Sequence, residues 1–164
     1  MTQRQAEPQR FRDLMKQVGR NRDASRVAVS ILRADSKVGQ AMERALSEAD
    51  MTGPQFNVLM ELASSPGATL PLYEITQRLI STPPNTSWIC TRMEDGGLVR
   101  RQRDRRDARV VNISLTEKGW AALAKAAPLV FHTEKELLGD FSRAELRDLG
   151  DLLGRLIRPG DTSS

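Results

Sequence analysis

Residues 100–119 read RRQRDRRDARVVNISLTEKG, six arginines in ten positions followed by an alternating apolar run that stops at Thr116. A block of like charge is ordinarily a solvated face or an unfolded tail. Here the block lies between two alternating, β-branched-rich segments, residues 98–103 and 108–115, which predict a β-hairpin with RDRRD at its tip. Arginines held on a hairpin tip, Arg105 and Arg106 among them, are placed to meet backbone phosphates or to enter a minor groove, provided that a groove-reading helix stands beside them. Asp104 and Asp107 then orient neighbouring arginines, rather than acting as catalytic carboxylates.

The residues just upstream supply such a helix. Gly96-Gly97 is a helix stop. Thr82 followed by Pro83-Pro84 is a helix start, an N-cap with proline in the first turn, where its missing N–H costs nothing. Between them Ile89 and Met93 fall on one face, and Ser87, Trp88, Thr91 and Arg92 on others. A shorter helix over residues 71–80, with Leu72, Ile75 and Leu79 inward, precedes it, so the two make a helix-turn-helix. The second helix of that motif lies in the major groove. Asn85, Ser87 and Thr91 offer short donors and acceptors there, Arg92 reaches phosphate or guanine, and the helix N-terminus attracts phosphate.

Further out the pattern is helical. Phe11, Leu14, Met15 and Val18 predict a short amphipathic helix; Val27, Ile31, Ala34, Val38, Met42 and Ala45 predict a long one reaching to about residue 49. Thr52-Gly53-Pro54 opens a helix with Phe56, Leu59, Met60 and Leu62 inward, ended by Ser64-Ser65-Pro66-Gly67. Thr116 caps a helix carrying Trp120, Leu123, Ala127, Phe131 and Leu138. Ser142-Arg143-Ala144-Glu145 is a capping box ahead of a seam of Leu146, Leu149, Leu153 and Leu156. That seam packs either on another chain or within its own.

Composition narrows the chemistry. The formal charge of +4 collects around the hairpin, which points to a polyanion, and 39% hydrophobic against 4% aromatic residues implies an aliphatic core. One cysteine, Cys90, excludes an internal disulfide. With His132 as the sole histidine, a zinc site of usual ligand type is hard to assemble, and Cys90 with His132 is the one nucleophile–base pair, with no motif around either. No metal, no cofactor and no enzymatic activity are expected. Cys90 reads as a buried, inert thiol and His132 as a structural or surface histidine. No apolar stretch reaches the roughly 20 residues of a membrane span, and no secretory leader is visible, so a cytoplasmic location is expected.

MTGPQF with VLMEL, then NTSWICTRMEDGGLVRR, then Asp107-Ala108-Arg109 followed by Val111-Asn112-Ile113-Ser114-Leu115-Thr116-Glu117-Lys118-Gly119, resemble the MarR-type winged helix-turn-helix transcription regulators. The resemblance spans about residues 25–157. It implies a mainly α fold with a small β-hairpin: a winged helix-turn-helix lobe over residues 51–116 and a helical dimerisation region over 25–50 and 117–158. A leader over 1–24 and a disordered tail over 159–164 complete the chain. It further implies a homodimer reading double-stranded DNA at a pseudo-palindromic operator, with Thr82, Asn85 and Ser87 at the start of the recognition helix. Arg109 would enter the minor groove, steadied by Asp107. Trp88 departs from the pattern, where a basic residue is frequent; its indole either meets a thymine methyl or packs against the wing, the latter favoured. Repression released by a small aromatic or phenolic effector is the function implied. The alternative is a winged-helix module without effector, bound constitutively to DNA or to a protein partner.

Overall fold

The computed structural model describes residues 10, 12, 16, 22–79, 86–104 and 106–157. The apolar positions expected to form a helix over 11–18 lie outside these residues. The chain divides into a unit over 1–40 and a unit over 41–164. Helix α1 (Arg22–Ser47) begins in the first, where Val27, Val29, Leu32 and Val38 stand exposed. Of the stripe predicted for this helix, the members that enter the core of the second unit are Met42 and Ala45, joined by Leu46.

In the second unit α1 stops at a turn in which Asp50 takes a positive φ of 55° and Met51 N–H reaches back to the Leu46 carbonyl at 3.0 Å. Helix α2 (Gly53–Ala63) follows, its Gln55 side-chain carbonyl accepting the Thr52 N–H at 3.0 Å. Phe56, Val58, Leu59 and Leu62 are buried while Met60 is half-buried, a wider apolar surface than the single face expected. The reason is position. α2 touches helix, strand and hairpin neighbours on several sides, and a helix so surrounded is apolar around most of its circumference.

Residues 69–71 form a strand, β1 (Thr69–Pro71), that leads directly into α3 (Leu72–Arg78); α4 (Thr86–Asp95) completes the helix pair. The hairpin strands are β2 (Val99–Arg103) and β3 (Val111–Leu115). The sheet order is β1-β3-β2, all antiparallel, with Leu70 and Arg101 both opposite Ile113. The expected two-stranded hairpin is thus three-stranded, and its second strand starts at Val111 rather than at 108. Residues 108–110 turn instead, Val110 N–H closing on the Asp107 carbonyl at 2.9 Å.

The α4–β2 joint is a Schellman close: Leu98 N–H bonds the Met93 carbonyl and Gly97 N–H the Glu94 carbonyl, each at 2.8 Å, with Gly97 at φ +73°. After the hairpin, α5 (Glu117–Leu138) starts on Thr116, whose Oγ1 accepts the Gly119 N–H at 3.0 Å, a cap worth about 1 kcal/mol. The same hydroxyl donates to the Gly97 and Leu98 carbonyls at 2.7 and 3.0 Å, which ties the root of the wing to the start of α5. Gly119 is required at this crossing because an added Cβ would lie 2.1 Å from the Leu98 oxygen.

Along α5, Leu123, Ala126 and Val130 are buried, while Trp120, Phe131 and Leu138 from the predicted stripe stand exposed. α6 (Arg143–Ile157) has the predicted capping box: the Glu145 carboxylate accepts the Ser142 N–H at 2.8 Å, and Ser142 Oγ accepts the Glu145 N–H at 3.3 Å. It buries none of its residues. Of the predicted seam, Leu149 and Leu156 are exposed while Leu146 and Leu153 are half-buried, and Leu152 and Ile157 beside it are exposed as well. No helix among the described residues is long and apolar enough to cross a membrane.

Candidate nucleic-acid interface

Two elements carry the candidate site, α4 and the tip between β2 and β3. α4 presses Cys90 and Met93 into the core, both fully buried, and the helical period then turns Ser87, Trp88 and Arg92 outward. Burial pushes the Cys90 thiol up to about 11, with the Arg101 charge pulling partly back. A thiol so protonated is a core side chain, as expected. His132 is a surface residue, its Nε2 3.3 Å from the Glu136 carboxylate.

Trp88 stands largely in solvent on α4. The indole is 55% exposed, and its ring lies beneath the Arg92 guanidinium, 5.5 Å from ring centroid to Cζ. The one-turn spacing of the two residues brings them together, and the ring quadrupole holds the cation there. The result is a cationic, aromatic surface on the exposed face of α4.

Thr91 is half-buried on the side facing the wing. Its hydroxyl donates to the Ser87 carbonyl at 2.9 Å and accepts a hydrogen bond from Arg101 Nη1. Arg101 sits on β2, its side chain 23% exposed, and also reaches the Ser87 carbonyl at 3.4 Å. Its backbone N–H donates to Glu94 Oε1 at 3.0 Å, and its Nε lies 4.0 Å from Glu94 Oε2. Neither Arg101 nor Glu94 was expected to serve the site. The available signal was alternation: Arg101 lies two residues after buried Val99, at an inward position where a cation needs a partner.

At the tip, Asp104 and Asp107 accept hydrogen bonds from backbone N–H groups. Asp104 Oδ1 accepts the N–H groups of Arg106 at 2.8 Å and Asp107 at 3.2 Å, and its Oδ2 accepts Asn112 Nδ2 at 3.1 Å. These bonds, that of Arg106 foremost, hold the Asp104 carboxyl below the usual aspartate range. Asp107 Oδ1 accepts the Arg109 N–H at 2.9 Å. The two aspartates thus shape the turn from which Arg106 and Arg109 project, both exposed. Thr82, Asn85 and Arg105 lie outside the described residues.

A helix pair backed by a three-stranded antiparallel wing, with a basic tip and an exposed cationic helix face, defines the winged helix-turn-helix class. Residues 49–110 match the MarR family. The HTH-type transcriptional regulator TtmR of Methylorubrum extorquens (strain PA1) is 33% identical over 158 residues, 92% of this chain and 80% of that protein. The chain belongs to the MarR family. Sco3205, a MarR family transcriptional regulator from Streptomyces coelicolor solved in complex with DNA, shares the fold with a TM-score of 0.78 at 23% identity, over 85% of this chain and 91% of its own. The organohalide-sensing RdhR-CbdbA1625 transcriptional regulator, solved with 2,4-dichlorophenol bound, gives a TM-score of 0.72 at 24% identity, over 81% and 78% of the two chains.

Proposed function

We propose that this regulator is a homodimeric, cytoplasmic repressor that reads a pseudo-palindromic operator and is released by a small aromatic or phenolic effector. The observation that carries the reading is the joint presentation of two outward surfaces: Ser87, Trp88 and Arg92 on α4, and Arg106 and Arg109 on a tip that Asp104 and Asp107 hold in shape. The α4 surface enters the major groove, with Thr91 supporting it from the wing side, and Thr82 and Asn85, ahead of α4 in the sequence, are assigned DNA contacts with it. Arg109 enters the minor groove with its backbone steadied by Asp107, and Arg105 and Arg106 meet phosphates.

Dimerisation is supported by the apolar residues that α1 and α6 leave exposed, Val27, Leu32, Leu152 and Leu156 among them. In this reading residues 25–50 and 117–158 form the dimerisation region and 51–116 the reading lobe, with 1–24 an added dimer arm and 159–164 a tail. The effector is supported by the phenol-bound relative alone.

Selection from a random duplex library tests the reading. A recovered pseudo-palindrome with half-sites about one DNA turn apart is expected, and 2,4-dichlorophenol should weaken its binding. Arg109→Ala should lower affinity and reduce the salt slope by about one unit if it neutralises one phosphate. Sequence-indifferent binding would leave only a basic surface and favour a protein partner; selective binding that no aromatic compound perturbs would favour a constitutive DNA-binding module.

A further inference from the structure

Arg101 occupies an unusual place among the wing arginines. Arg100 and Arg103 are exposed on the strand, whereas Arg101 turns inward across the gap between β2 and α4. Its partners Ser87, Thr91 and Glu94 follow one another at intervals of four and three residues, and therefore line one side of α4 over two turns. A planar guanidinium bonded to two points of that line, with its backbone N–H bonded near a third, resists both rotation of the helix about its axis and sliding along it.

The pair with Glu94 is partly exposed and spans 4.0 Å, so its electrostatic stabilisation is small. What the arrangement supplies is orientation. Trp88 and Arg92 on the outward face of the same helix, and the exposed Ser87 side chain at the N-terminal end of the clamped line, inherit that orientation, and so does the distance from them to Arg109 at the tip.

We propose that Arg101 is a positioning residue for operator recognition, which clamps α4 to β2 and thereby sets the spacing at which major-groove and minor-groove contacts are made together. The proposal rests on the reading of α4 and the tip as the two DNA-contacting surfaces. Arg101 acts through Ser87 and Thr91 and touches no base.

Arg101→Met keeps the stem and removes the donors; Thr91→Val removes the hydroxyl that Arg101 meets. Both are compared with the unaltered chain for binding to the selected operator and to random duplex, at several salt concentrations. The expected result is about a tenfold loss on the operator with little change on random duplex and an unchanged salt slope, for both variants. The double variant should be no worse than Arg101→Met, because the two changes break one connection. A loss equal on all sequences, with the slope reduced by about one, would make Arg101 a phosphate contact and overturn the proposal. So would an unchanged operator-to-random ratio in Thr91→Val, which also decides the matter if Arg101→Met fails to fold.

A second readout does not depend on DNA. Spin labels at the exposed positions Asp95 and Ala108 report the helix-to-tip distance. The distribution should be narrow in the otherwise unaltered chain and broadened by Arg101→Met or Thr91→Val, and an unbroadened distribution would refute the clamp. If the unaltered chain selects no sequence, the operator reading fails while this distance still judges the clamp.

Discussion

Gly119→Ala offers a test of how the wing is attached. In most helices this substitution gains about 1 kcal/mol from propensity. At this site the new Cβ would stand 2.1 Å from the Leu98 carbonyl oxygen and 3.0 Å from Leu115 Cδ1. Backbone would have to retreat by about 1.3 Å for the oxygen to reach 3.4 Å, where ordinary contact begins. That oxygen accepts the Thr116 N–H at 3.2 Å and the Thr116 hydroxyl at 3.0 Å. Moving it weakens two hydrogen bonds of about 1 kcal/mol each, in addition to about 1–3 kcal/mol of overpacking. After the propensity gain, a net loss of about 2–4 kcal/mol is expected. At about 2–4 °C per kcal/mol for a chain of this size, Tm falls by roughly 5–15 °C. Urea unfolding at fixed protomer concentration, where any dimer linkage is constant, measures it. A variant as stable as the parent, with the same m-value, would show that α5 and Leu98 do not meet as described.

Three further outcomes are expected. The folded Asp104 carboxyl titrates below its ordinary value of 3.8, so its hold on the tip is present above that value and lost as pH falls through the lowered one; amide exchange at Arg106 and Asp107 should, after correction for its intrinsic pH dependence, show constant protection from neutral pH down to about 4, and opening near pH 6 would contradict this. The Cys90 thiol is raised from 9.0 to about 11, so its contribution to stability is complete below 9.0 and disappears as pH rises through about 11. In the native protein it should react with disulfide reagents only as fast as the lobe opens; immediate modification at neutral pH would mean that it is accessible. Ser142→Ala removes the capping partner of Glu145 and should cost α6 about 1 kcal/mol, read as lost helicity or faster exchange in its first turn.

Local chemistry made much of this fold legible. The Gly96-Gly97 stop, the Thr116 cap and the Ser142–Glu145 box depend on neighbours within a few residues, and all three form as the sequence predicts. The hairpin was legible because alternation of side chains is itself a pairing signal. β1 was not: three residues ending in proline carry no period, and they become a strand only because β3 offers an edge. In the candidate site, the outward residues of α4 followed from helical geometry. Arg101 was hidden among six arginines because its role is set by Ser87 and Thr91, 14 and 10 residues away. Asn112 was equally silent, its amide meaningful only once the hairpin places it beside Asp104.

β2 is an edge strand, and such an edge on a projecting wing is a template for pairing with the edge of another molecule. The chain guards it twice. Glu94 occupies the Arg101 N–H at 3.0 Å, and exposed Arg100 and Arg103 bring positive charge to the same strand. A strand from a second wing, arginine-rich at the same positions, would meet like charge and a blocked donor. Concentrated protein should therefore remain free of wing-to-wing β-aggregation at low ionic strength, and added salt, by screening the arginines, should be the condition that first exposes the tendency.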